Sequence, residues 1–168
     1  LTPQEAYLMV NLLQSTVSTG TLRGASEWVG GFDRPIAGKT GTTQNWSDAW
    51  TVGFSAQITT AVWFGFDQRG YSLGVNQTGA TSAAPAWAEY MDAAHEGLPP
   101  VDFIRPASGL IDVTICARSG QLPTKYCNEG TIREVFLAGT EPREFCDLHR
   151  FEFERNEEVR QTIKDALR

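Results

Sequence analysis

Apolar residues recur at helical spacing through the opening segment LTPQEAYLMVNLLQSTVSTG, where Val10, Leu13 and Val17 share one face and predict an amphipathic helix. Its start is written as a capping box: Thr2 as N-cap, Pro3 at the first helical position and Glu5 three residues after the cap, with Gly20 able to close the far end. Residues 21–35 carry no period, and their glycines and proline predict a loop. The pattern then shifts to alternation, predicting strands at about Ile36–Thr42, Ala49–Phe54 and Ile58–Phe66. In the last of these, Thr60, Val62, Phe64 and Phe66 fall on one face and Ala61, Trp63 and Gly65 on the other. The short SAQ between the second and third strands favours an antiparallel hairpin. Helical spacing returns over about Ser82–Glu96, with Trp87, Tyr90, Met91 and Ala94 on one stripe, Pro85 near the start and Gly97 after the end. That stripe reads as core, packing the helix onto the sheet. His95 reads as a surface or helix-end histidine rather than a catalyst.

After Gly97 the character changes. LPPVDFIRPASGL is a proline-punctuated linker, residues 101–146 read as short strands and turns, and the charge-rich tail carries one plausible short helix capped by Asn156, with Val159, Ile163 and Leu167 on its apolar side. The expected organisation is therefore residues 1–97 as one unit and 98–168 as an extension. The fold class is α/β of the α+β type: an antiparallel sheet with packed helices, followed by an irregular C-terminal segment.

Charge narrows the function classes. A net charge of −6 and a pI near 4.9 leave no basic face for releasing counterions from nucleic acid. No apolar run approaches the roughly 20 residues of a membrane span and no leader opens the chain, so any anchor is expected upstream. Cys116, Cys127 and Cys146 all lie in the last third; outside the cytoplasm a disulfide is expected, and the odd count leaves one thiol over. Cys146-x-x-His149 together with the other two cysteines offers a zinc ligand set. The remaining spacings, ten and eighteen residues, are not a tight metal knuckle, so the reading taken forward has no metal and no cofactor.

The richest chemistry lies in PIAGKTGTTQNWSDAWTVGF. Its Gly-Lys-Thr is not the end of a phosphate-binding loop: the required first glycine is Asp33, and strand formers rather than a helix follow. The other reading is Lys39-Thr40-Gly41, the K-T-G triplet that borders the active site of serine acyl-transferases. An ammonium at Lys39 stabilises negative charge around a nucleophile and tetrahedral intermediate. Gly41 lets a substrate peptide lie against the strand. Thr40, Thr42 and Thr43 supply hydroxyls for a substrate carboxylate, and the Thr42 N–H can face an oxyanion.

With its surroundings, RPIAGKTGTT, DAWTVGF, AVWFGFD and TGATSAAPAWAEYM, the chain resembles the C-terminal half of the transpeptidase domain of bacterial class A penicillin-binding proteins, from about Thr2 to Cys146. Lys39, Thr40, Gly41, Thr42 and Thr43 match the family's third catalytic motif; Asp48, Ala49, Trp50 and Gly53 match the strand after it. The family's nucleophile motif, Ser-x-x-Lys, and its Ser-x-Asn motif occur nowhere in this sequence, so the expectation is a fragment whose remainder carries the serine. The resemblance also implies a disulfide between Cys127 and Cys146, whose flanking segments match the family while that of Cys116 does not. It implies a D,D-transpeptidase that cross-links peptidoglycan stem peptides and is acylated by β-lactams. The expected location is the periplasmic face of the inner membrane, anchored through an upstream segment, with a glycosyltransferase domain preceding it. The expected partners are that upstream remainder, the stem peptides and β-lactams. The rival expectations are a non-catalytic peptidoglycan-binding or interaction module and a self-contained β-lactamase-like hydrolase.

Overall fold

In the computed structural model, residues 1–24, 34–68, 70–127 and 129–166 are described, and the chain divides into two compact units, Leu1–Arg105 and Pro106–Arg168. Most of the loop expected over residues 21–35 lies outside the described residues. No helix among the described residues is long and apolar enough to cross a membrane.

The first unit opens with α1, Pro3–Ser18, under the expected capping box: Thr2 Oγ1 accepts from the Glu5 N–H at 3.2 Å, and Glu5 Oε2 accepts from the Thr2 N–H at 2.7 Å. Strands β1 (Ala37–Thr42), β2 (Asp48–Phe54) and β3 (Thr59–Gly65) form an antiparallel sheet in that order, with Thr40 opposite Thr51 and Trp50 opposite Trp63. The fold class is as the hydrophobic pattern indicates. Helix α2, Ala84–Ala94, packs over one sheet face, and Ile36, Trp87, Ala88 and Met91 form the buried core, flanked by Val17, Ile58 and Val62.

Two details depart from the expected pattern. The turn before α2 is a five-residue π-helical segment, Gly79–Ala83, capped by Thr78, so the α-helix proper begins two residues later than its periodicity suggests. Tyr90 points to solvent at 57% exposure, because the stripe is centred on Trp87, Met91 and His95. Gly53 shows how tightly the helix sits: a Cβ there would lie 2.4 Å from the Trp87 ring.

The sheet's second face is open. Trp50, Val52 and Trp63 lie on it, exposed by 43%, 43% and 39%, and the two indole rings sit 6.0 Å apart. Residues 98–105 have no regular structure but belong to this unit. Arg34 donates to the Leu98 carbonyl at 3.2 Å, Phe103 packs edge-on against Phe54 and Arg105 lies over the Tyr7 ring, so the division falls after Arg105 while the change in sequence character comes after Gly97.

The second unit is smaller. Strands β4 (Leu110–Cys116) and β5 (Thr131–Leu137) pair antiparallel from Leu110 opposite Leu137 to Cys116 opposite Thr131, and a parallel bridge joins Leu122 to Phe145. Helix α3 runs Leu148–Ala166. It begins well before Asn156, correcting the expected cap there: Leu148–Arg155 contains no glycine or proline, and a capping residue inside a run of helix formers does not compel a start. Val159 is 53% exposed; the side chain of Ile163 and all of Leu167 lie outside the described residues. Among the described residues of this unit, only Ile115, Cys116, Cys146 and His149 are buried.

Candidate functional site

Strand β1 is an edge strand of its sheet among the described residues, and it carries the triplet Lys39-Thr40-Gly41. Alternation separates the side chains. Lys39 is exposed, and its Nζ donates to the Thr40 carbonyl at 2.6 Å. Thr40 is buried, its hydroxyl 2.7 Å from that of Thr21. The lysine and the first threonine thus point to opposite faces, as the pleat requires. The Thr40 hydroxyl is therefore engaged by Thr21 in the interior rather than free.

The backbone edge is also ordered by neighbours. The Thr16 hydroxyl donates to the Gly38 carbonyl at 2.6 Å, so that carbonyl faces away from β2. By antiparallel alternation, the N–H and C=O groups of Thr40 and Thr42 lie on the same outer edge. A cleft of about 810 Å³ lies between the end of α1 with the turn after it and the start of the π-helical segment, lined by Thr21, Arg23, Ala80 and Thr81 among others. Thr21 bonds Thr40, while Ala80 and Thr81 follow Gly79, whose N–H donates to Thr42 Oγ1 at 3.0 Å.

Gly79 is the pin of this corner. Its carbonyl accepts from the buried Thr51 hydroxyl at 3.0 Å, and a Cβ on it would lie 2.2 Å from the Trp50 carbonyl oxygen and 2.6 Å from that of Gly41. Only glycine allows this approach. Gly41 is different. A Cβ there would meet only the Trp50 Cβ, at 3.5 Å, so the fold itself does not require glycine at that position.

Thr43, grouped above with the substrate-binding hydroxyls, is occupied by the turn. Its hydroxyl donates to Asp48 Oδ2 at 2.9 Å, accepts from the Asp48 N–H at 2.9 Å and lies 2.8 Å from Ser47 Oγ. The Trp63 indole N–H donates to Asp48 Oδ1 at 3.0 Å. These donors, the indole first and Thr43 next, hold the Asp48 carboxyl below its ordinary range. The Asp48 side chain therefore ties the β1–β2 turn to β3.

His95 is at the end of α2 but is buried rather than at the surface. Its Nε2 lies 2.8 Å from Ser55 Oγ and its Nδ1 2.6 Å from the Met91 carbonyl. Because Ser55 Oγ already accepts from the Gln57 and Ile58 N–H groups at 3.0 Å each, its proton goes to Nε2 and the Nδ1–H goes to Met91. This Ser–His pair joins the helix end to the β2–β3 turn. Its hydroxyl is buried and committed to three bonds, so it is not a nucleophile.

The second unit brings together residues that sequence spacing kept apart. Cys116, Cys127 and Cys146 are free thiols, and the expected Cys127–Cys146 disulfide is not formed. Instead their sulfurs and a ring nitrogen of His149 all lie within 4.8 Å of one another. Cys116 ends β4 opposite Thr131, which carries the chain from Cys127 back to it; the Leu122–Phe145 bridge delivers Cys146, and the start of α3 delivers His149. Hydrogen bonds from the Ser119 side chain and backbone draw the Cys116 thiol down to about 6, and the Cys146 sulfur holds the His149 imidazole above its usual value. The legible signals were Cys146-x-x-His149 and the confinement of all three cysteines to the last third of the chain; the ten- and eighteen-residue gaps are spanned by pairings between distant segments, which linear spacing does not display.

Comparison with known proteins is consistent across the chain. The family described as "Penicillin-binding protein 1A, C-terminal domain" matches residues 106–151. Penicillin-binding protein 1A of Aquifex aeolicus is 40% identical over 142 residues, 84% of this chain and 18% of that protein. The Clostridium tetani protein of the same name is 35% identical over 161 residues, 93% of this chain and 20% of its own length. The 2.6 Å crystal structure of penicillin-binding protein 1A from Haemophilus influenzae superposes with a TM-score of 0.73 at 30% identity, over 85% of this chain and 21% of that one. The chain thus spans about a fifth of the length of these relatives.

Proposed function

This chain belongs to the penicillin-binding protein 1A family, and on that premise we propose that its first unit forms one wall of a peptidoglycan D,D-transpeptidase site, with the serine nucleophile supplied by another part of the same protein. The observation that carries this reading is the outer edge of β1, which pairs with no other strand among the described residues, with the Lys39 ammonium on the strand and a glycine the fold does not require at position 41. A stem peptide adds to that edge as a further strand, taking hydrogen bonds from the Thr40 N–H and the Thr42 backbone and passing over Gly41. Thr42, held in place by Gly79, directs its N–H to the developing oxyanion, while Lys39 stabilises the charge that grows during acylation. The open face bearing Trp50, Val52 and Trp63 supports a larger domain packing against this sheet. β-Lactams would acylate the same serine. The preceding glycosyltransferase domain, the membrane anchor and the periplasmic location belong to the same proposal.

The test is penicillin acylation kinetics on the full-length protein. Lys39→Ala should acylate a hundredfold to a thousandfold more slowly, about 3 to 4 kcal/mol, with initial binding weakened less. Gly41→Ala separates substrate contact from folding. It should shift stability by about 0.5 kcal/mol or less, because the new methyl meets only ordinary contact, yet slow turnover of a stem-peptide substrate roughly a hundredfold by displacing it from the edge. Parental rates in both variants would reduce the triplet to a solvated strand edge.

A further inference from the structure

We propose that Cys116, Cys127, Cys146 and His149 form a closed, four-ligand site for one zinc ion, which organises the unit from Pro106 onward. This inference is independent of the reading of β1.

Geometry carries it first. With Zn–S near 2.3 Å and Zn–N near 2.0 Å, tetrahedral coordination places sulfurs about 3.8 Å apart and a sulfur about 3.5 Å from the ligating nitrogen. His149 Nδ1 lies 3.3 Å from Cys146 Sγ and 3.5 Å from Cys116 Sγ, and all four donor atoms fall within 4.8 Å of one another. Contraction of the widest separation by up to about 1 Å completes the polyhedron. Three thiolates and an imidazole are a ligand set suited to zinc, and four protein ligands leave no open position for substrate, which marks a structural rather than a catalytic ion.

The surroundings fit the same centre. With Nδ1 facing the sulfurs, His149 Nε2 is buried without a hydrogen-bond partner, and the Glu129 carboxylate stands 4.0 Å from it. A shift of about 1 Å would bring that carboxylate within reach of the Nε2 proton, favouring the tautomer the site needs, with the lone pair on Nδ1. Arg118 in turn holds Glu129 at 3.3 Å. The Thr124 N–H points at Cys127 Sγ at 3.3 Å, which fixes the direction of that sulfur.

Packing supplies the reason for an ion. The buried residues described in this unit are Ile115 and three of the four ligands, so its centre is sulfur and imidazole, with little apolar core. A two-stranded sheet and one helix of this size ordinarily need a crosslink or a metal to stay folded. A Cys127–Cys146 disulfide would use two of the four groups and strand Cys116 and His149 in the interior; the ion uses all four. On binding, the three thiols release their protons to solvent and His149 binds neutral, so the centre carries one net negative charge.

The experiment is metal analysis of the purified 168-residue chain, prepared in reductant, with competition titration against a zinc-binding chromophore and cobalt substitution. One equivalent of zinc is expected, and cobalt should give thiolate-to-metal charge-transfer absorption with tetrahedral visible bands. Cys116→Ser and His149→Ala should each weaken zinc binding at least tenfold, and Glu129→Gln, at a half-exposed position that leaves the ligands intact, about tenfold. The parental titration needs no variant to fold, so it decides alone. Less than a tenth of an equivalent of zinc after reconstitution, an octahedral cobalt spectrum, or a Cys127–Cys146 crosslink in peptide maps of protein isolated without reductant would each overturn the proposal.

Discussion

The two units reach their stability by opposite means. In Leu1–Arg105 a helix and one face of a three-stranded sheet bury Ile36, Trp87, Ala88 and Met91, a continuous apolar centre with polar ties at its margins. In Pro106–Arg168 the buried positions are dominated by ligand-type side chains, and apart from Ile115 the apolar residues of β4 and β5 are only partly covered. The difference teaches that burial by itself does not define a core: a small unit with few apolar layers depends on directional bonds between specific groups, whereas a larger one depends on area removed from water.

The strongest way to break this comparison is Trp87→Ala. Truncating the fully buried indole removes its packing on Gly53 and its bond to the Thr60 carbonyl at 3.1 Å, and should cost about 3 to 5 kcal/mol. All five tryptophans precede Pro106, so indole fluorescence during urea unfolding follows the first unit by itself. A loss under 1 kcal/mol would show that the first unit's stability does not reside in this cluster.

A smaller effect sharpens the same contrast, since the first unit also contains one buried polar tie. Ser55→Ala deprives His95 Nε2 of its serine partner and the Gln57 and Ile58 N–H groups of their acceptor, and should destabilise by about 1 to 3 kcal/mol in the same assay. Ser55→Thr should recover part of that loss. An unchanged midpoint in the alanine variant would mean that water takes over all three bonds.

The smallest effect concerns pH. The folded-state pKa of Asp48 is depressed, so its contribution to stability is fully present above the unfolded carboxylate value near 3.9 and is lost as pH falls through the lower folded value. The parental chain and Asp48→Asn should therefore differ at neutral pH and converge below about pH 4, as measured by parallel unfolding series. A gap that stays constant down to pH 2 would place the role of Asp48 in shape rather than charge.

Much was legible from the sequence because it is local. The capping box of α1 needs only Thr2, Pro3 and Glu5 in order; the alternation of Thr60, Val62 and Ala61 sets which face of β3 meets a helix; and Lys39-Thr40-Gly41 falls on a strand because strand formers surround it. Each depends on residues within one turn or one pleat, where backbone geometry fixes the neighbours. What the tertiary structure decided involves partners remote in sequence. Thr40 faces Thr21 nineteen residues earlier, Thr51 bonds the Gly79 carbonyl twenty-eight residues on, and His95 finds Ser55 forty residues earlier. The sulfur and imidazole centre is the clearest case: Cys116 and His149 meet only because β4 and β5 pair, Leu122 bridges Phe145 and α3 begins at Leu148. Sequence determines which donors the chain carries, but a ligand set exists only when chain closure brings those donors within a few ångströms of one another, and that distance is a property of the fold.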